Sequence, residues 1–130
     1  MTVAKSFALQ SDVYTIVSGA SLGVPVYDHV PQPVPDEYLR LDGFNILGEQ
    51  TKAGEIAEHS FEVHHFDRPV AASAFRRGQT RTKTILAAVH AAIMATPMQG
   101  QQAILETQMV DWDIDGITCH GINRYTVTVL

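Results

Sequence analysis

Between Thr80 and Ala95 the apolar residues Ile85, Leu86, Val89, Ala92 and Ile93 fall at i, i+1, i+4, i+7 and i+8. That spacing is one stripe of a 3.6-residue helix. Thr80 or Thr82 offers an N-cap oxygen, and Pro97 ends the ladder because its ring cannot continue it. Ala87, Ala88, Ala91 and Ala95 stand where a solvated face would carry charges, and no Asp, Glu, Lys or Arg occurs between Lys83 and Glu106. A helix apolar nearly all round reads as a buried one, covered by a sheet on one side and by another helix or subunit on the other. A second stripe, Leu9, Val13, Ile16, Val17 and Ala20, predicts an N-terminal helix over Ala4–Ser18 with Gly19 as its stop.

Elsewhere the period is two. Over Glu55–Phe66, Ala57, His59, Phe61, Val63 and His65 alternate with Glu58, Ser60, Glu62 and His64, which predicts a strand with one face toward the central helix and one toward water. Tyr38–Leu47 reads as a strand or a tight hairpin, because Asp42-Gly43 is a turn signal in its middle. Gly48–Gly54 reads as a loop, and Asp67–Gln79 as a connector. Ala103–Asp113 and Ile117–Leu130 read as two strands joined at Asp115-Gly116. Pro25, Pro31, Pro33 and Pro35 keep Leu22–Pro35 extended, with a short edge strand available at Val24, Val26 and Tyr27. These elements predict an α+β fold: an antiparallel or mixed sheet of four to five strands on a central helix, plus the N-terminal helix. The C-terminal strand, from Arg124, is β-branched and suited to pairing with a neighbouring subunit.

Composition narrows the class. A chain of 130 residues, 45% hydrophobic and 18% charged, suits one folded domain over residues 1–130 and not a disordered segment. One cysteine, Cys119, offers no internal disulfide framework. The N-terminus lacks the apolar core of a secretory signal, and no apolar run is long enough to span a bilayer. A net charge of −5 argues against general nucleic-acid binding by the whole surface.

Several constellations invite chemistry. Asp111, Asp113, Asp115 and Gly116 open like a calcium loop, but the twelfth position, which needs a bidentate carboxylate, is Ile122. Adjacent His64 and His65 point to opposite faces of a strand, and His59 lies about 20 Å from His65 along it. Together with His29, His90 and His120 they form no metal-ligand spacing. Cys119 and His120 likewise point apart, so the imidazole is not placed to activate the thiol. These residues suggest no catalytic, cofactor or metal site. Arg68, Arg76, Arg77, Arg81 and Lys83 gather five of the nine basic residues ahead of the central helix. They are either a solvated loop or a contact with an acidic partner or with phosphates.

Val26-Tyr27-Asp28 followed by Pro31, then His59-x-x-x-Val63-x-x-Phe66-x-Arg68, the Ala-rich helix, and Asp115-Gly116-x-Thr118-x-His120-Gly121 come in an order that resembles the tail terminator and tail-completion proteins of long-tailed phages and phage-derived particles. Phe66 stands where that family would have tryptophan, and the connector is longer than usual. The resemblance implies an α+β fold and a non-enzymatic virion protein without cofactors. It implies a homo-oligomeric ring, commonly of six, at the head-proximal end of the tail, assembled in the bacterial host cytoplasm. Its partners would be the tail tube protein and the head–tail connector or stopper protein, with DNA passing through the lumen and no membrane. Arg76, Arg77 and Arg81 are then candidate partner or lumen contacts. Another head–tail connector or completion ring protein, or a small metal- or ligand-binding enzyme using the histidines, are the competing readings.

Overall fold

A computed structural model describes residues 2–51, 54–68 and 78–129, with side chains for 5–47, 56–68 and 79–129. Two helices lie on one face of a five-stranded sheet. In chain order the elements are α1 (Thr2–Gly19), β1 (Val26–Tyr27), β2 (Glu37–Thr51), β3 (Gly54–Asp67), α2 (Gly78–Ala95), β4 (Ile104–Trp112) and β5 (Cys119–Val129). The sheet order is β1-β2-β3-β5-β4. β1 runs parallel to β2, and every other neighbouring pair is antiparallel. The expected α+β architecture is thus the one observed.

The core follows from the two periods. From α2, Ile85, Val89 and Ile93 pack with Phe61 and Val63 of β3, and all are buried. Leu9, Val13 and Val17 bring α1 into the same cluster, joined by Leu39 and Leu41 of β2 and by Tyr125, Val127 and Val129 of β5. Phe61 stacks between Phe44 and Tyr125, with ring centroids 6.0 and 5.2 Å away. No described helix is long and apolar enough to cross a membrane.

Three expectations change, and two readings left open are narrowed. Asp42-Gly43 turns no corner: β2 passes through it as one strand, advancing from Asp42 to Asn45 while β3 advances from Glu62 to Ser60. The extra residue is a bulge, and Gly43 takes the φ of +66° that it requires. The stretch expected as a loop over Gly48–Gly54 is strand as far as Thr51 and again from Gly54, because the β2–β3 ladder continues to that pair. Its polar composition hides a strand that only the backbone ladder reveals. α2 begins at Gly78, so Thr82 is inside the helix, with its hydroxyl 3.0 Å from His65 Nδ1, and not at the cap. Ala87, Ala91 and Ala95 are exposed, so α2 is not covered all round within the chain. Finally, β5 is interior, paired on both sides up to Thr126. The free edge on that side belongs to β4.

Candidate functional site

Alternation along β3 puts Glu62, His64 and Phe66 on the face away from the helices, level with Arg40 and Tyr38 of β2 and with Ile122 and His120 of β5. There they form a compact aromatic layer. Tyr38 stacks on Phe66 (4.9 Å between centroids), Phe66 on His120 (4.1 Å) and His64 on His120 (5.1 Å). The Arg40 guanidinium lies 5.1 Å over the Phe66 ring, a cation–π contact. This is why His64, on the face expected to meet water, is only 6% exposed.

Within the layer runs a row of polar contacts. Glu62 Oε1 is 3.1 Å from His64 Nε2, His64 Nδ1 is 2.8 Å from His120 Nε2, and His120 Nδ1 is 3.3 Å from Asp113 Oδ1. Burial, and then the facing His64, hold the His120 imidazole below its usual range, against the pull of Asp113. A cleft of about 140 Å³ adjoins the layer, lined by Val34, Pro35, Asp36, Arg68, Asp113 and Thr118 beside Tyr38 and Phe66. Each imidazole nitrogen is spent on another side chain of the row, so the arrangement braces the sheet. Among the described residues no three or more His, Cys, Asp or Glu side chains are grouped to hold a metal ion.

The opposite face fixes α2. Arg81 in its first turn binds Glu37 through two nitrogens, at 2.8 and 3.0 Å. His65, fully buried, bridges Glu37 Oε2 (2.9 Å) and the Thr82 hydroxyl (3.0 Å). Burial would raise the Glu37 carboxyl, but the hydrogen bonds from Arg81 and His65 outweigh it and leave the group below its usual range. Burial keeps His65 itself below the ordinary imidazole value. One turn further, α2 passes so close to β5 that only Gly121 fits beneath Thr82 and Leu86. Asn123 Nδ2 donates to the Leu86 carbonyl (3.0 Å) and to the Tyr125 oxygen (3.1 Å). Burial pushes the Tyr125 hydroxyl up to about 12.

The residues singled out from the sequence come to rest in different places. Arg76 and Arg77 lie outside the described residues. Arg81 is the Glu37 partner just described, Arg68 pairs with Asp36 at 3.1 Å, and Lys83 is exposed. The three aspartates of the calcium-like run are separately engaged. Asp111 accepts from the Trp112 amide and Asp113 meets His120. Asp115 accepts from the Ile117 and Thr118 amides and the Thr118 hydroxyl, closing a turn in which Gly116 has a φ of +72°. Cys119 is buried toward α2, while His120 points to the other face, as alternation requires.

No family model matches the chain, and no curated protein matches it. A solved structure does. The chain folds like one from a gene transfer agent particle. That chain, described as belonging to the virion of a native gene transfer agent (GTA) particle, superposes with a TM-score of 0.76 over 97% of each chain, at 20% sequence identity. At that identity the likeness is one of fold.

Sequence reasoning found the short edge strand at Val26 and Tyr27 but missed the aromatic layer and the β4 edge. The layer joins residues from three strands, and the one-residue spacing of His64 and Phe66 from inward-facing neighbours was its only local signal. Along β4, an edge strand, Ile104 (61%), Met109 (57%) and Trp112 (38%) are exposed, and Ile114 and Ile117 project from the hairpin beyond it. At the other end of the sheet, β1 pairs only with Leu39 and Arg40, and Leu47 of β2 is 73% exposed.

Proposed function

We propose that this chain is a structural protein of a phage-type particle: a ring that terminates the tail tube and joins it to the head connector. The observation that carries the reading is the shared fold with a gene transfer agent virion chain over 97% of both chains. The motif order from Val26-Tyr27-Asp28 to His120-Gly121 points the same way. In this reading residues 1–130 act as one tail-terminator-like domain, six copies close the ring, and the ring sits at the head-proximal end of the tail. Its neighbours are the tail tube protein and the connector or stopper protein, with DNA in the lumen. In this reading the role is non-enzymatic, and His64 and His120, which a metal or ligand site would use, are bound to one another and to carboxylates. Arg81 already binds Glu37, so contact with an acidic partner or with DNA falls chiefly to Arg76 and Arg77.

Imaging of assembled particles, with the chain located by a fused label, tests this. A ring at the head-proximal tail end is the expected result, and any other location overturns it. Arg76→Glu with Arg77→Glu should leave the ring intact while joining of tails to heads fails. Normal yield of joined particles from that variant would remove the two arginines from the role.

A further inference from the structure

Both ends of the sheet expose backbone. Among the described residues, nothing pairs with the outer edge of β4 from Ile104 to Trp112, nor with the outer edge of β2 beyond Arg40. Proteins commonly blunt such edges with lysine or proline. Neither residue occurs in Ile104–Trp112 or in Asp42–Thr51, and the bulges at Asp42/Asn45 and Leu105/Thr107 lie near one end of each stretch, which leaves Ile46–Thr51 and Thr107–Trp112 regular. The two free stretches are of similar length, and each carries exposed apolar side chains: Ile104, Met109 and Trp112 on one, Ile46 and Leu47 on the other. A monomer that kept both bare would be prone to edge-to-edge association.

Strand direction decides which association fits. β2 is antiparallel to β3, β3 to β5 and β5 to β4, so β4 runs antiparallel to β2. Rotation about an axis roughly along the strands preserves direction. A neighbouring copy placed in this way sets its β4 antiparallel to the β2 of the first, the arrangement of a regular antiparallel ladder. Because the two edges differ and lie at opposite ends of the sheet, the contact is heterologous and can close a ring.

Side chains agree with that pairing. Leu47 lies opposite Glu58 and Met109 opposite Ile122, which puts both on the face away from the helices, as is Ile104. On the helix side, β1 fills the edge at Leu39 and Arg40, so an incoming strand first finds room at Leu41. Leu41 lines a groove of about 300 Å³ with Phe7, Gln10, Ser11, Tyr14 and Asp28. Trp112 is on the helix side of β4, at the end that arrives first. An indole that buries its ring and keeps its N–H near polar groups suits this groove, where Asp28 and Gln10 offer acceptors.

We propose that β4 of one copy pairs with the free edge of β2 (Asp42–Thr51) of the next, with Trp112 seated in the groove beneath Phe7 and Tyr14, so that the sheets continue from subunit to subunit around the ring. The proposal rests on the ring reading and names its contact.

Cysteine crosslinking in assembled particles tests it. Asn45→Cys or Leu47→Cys on β2 is combined in turn with Ile104→Cys, Thr107→Cys, Met109→Cys or Asp111→Cys on β4. These positions are exposed and share the face away from the helices. The native Cys119 is buried and serves as the background control. After mild oxidation, at least one combination should give a ladder of covalent oligomers up to the ring size on a denaturing gel, while each single variant stays monomeric. A covalent dimer from a β4 cysteine alone would mean that β4 meets β4, and would overturn the proposal. Monomer from every combination, in particles whose ring is seen by imaging, would also overturn it. Absence of the ring itself is a separate result, and fells the functional reading first.

Discussion

Replacing Gly121 by alanine tests how α2 sits on the sheet. A Cβ at this position would lie 2.4 Å from Thr82 Cγ2 and 2.6 Å from Leu86 Cδ1, against an ordinary carbon–carbon contact of about 3.5–4.0 Å. Neither neighbour has space to retreat, since Thr82 and Leu86 are both fully buried. Either α2 lifts from β5 or Thr82 rotates and loses its bond to the buried His65. Overpacking of this kind costs about 1–3 kcal/mol, and the lost hydrogen bond adds about 1 kcal/mol. At about 4 °C per kcal/mol for a chain of this size, the melting temperature should fall by roughly 4–16 °C, with the upper part of that range reached if Thr82 loses its bond. Thermal unfolding followed by circular dichroism measures it. A second variant shows whether the cause is right: Thr82→Ser removes the clashing methyl and keeps the hydroxyl that meets His65. In that background Gly121→Ala should cost about 1 kcal/mol less than it does alone. A melting temperature within 2 °C of the parent, or strictly additive losses in the double variant, would refute the close approach.

Val89, fully buried between α2 and the sheet, should not tolerate aspartate: Val89→Asp buries an unpaired charge and should cost several kcal/mol, and a near-parental melting curve would contradict the packing. Acid should destabilise the fold in two stages. Burial holds His65 and His59 below the ordinary imidazole value, with Lys5 adding to the effect at His59, so the unfolded chain binds their protons first. Their contribution is full above about pH 6.5 and is lost as the pH falls through the lower folded values. The lowered carboxyl of Glu37 extends the loss below about pH 4.5. Melts between pH 7.5 and pH 4 should therefore shift steadily downward, and a flat profile would count against the buried network. Calorimetric titration should show no calcium binding at micromolar concentration, because Asp111, Asp113 and Asp115 are turned to separate partners; saturable heat would sink that expectation.

The parts of the fold legible in the sequence are those where one element's period meets one buried face. α2, α1 and the inward residues of β3 declared themselves this way, and so did the opposite directions of His64 and His65. What stayed hidden depended on partners far along the chain. Gly48–Thr51 looks like a loop because Gly48, Glu49, Gln50 and Thr51 show no apolar alternation, and its strand character rests on the backbone ladder with Gly54–Ala57. Ala87, Ala91 and Ala95 look buried because small apolar residues were read without knowing that α1 packs beside α2 and not over it. His64 looked solvated because the ring that covers it, His120, is fifty-six residues away. The edge beside β5 was misassigned for a similar reason: β-branched content marks a strand, not its place in the sheet, and the C-terminal strand turned out to be interior.

The row from Glu62 to Asp113 has an arithmetic of its own. It contains three links but only two imidazoles, His64 and His120. Two neutral rings bring two N–H groups between them, so one of the three links lacks its hydrogen, either between the rings or at a carboxylate. With a hydrogen between the rings, the tautomer of one ring dictates that of the other, so two side chains fifty-six residues apart in the chain act as one donor–acceptor unit.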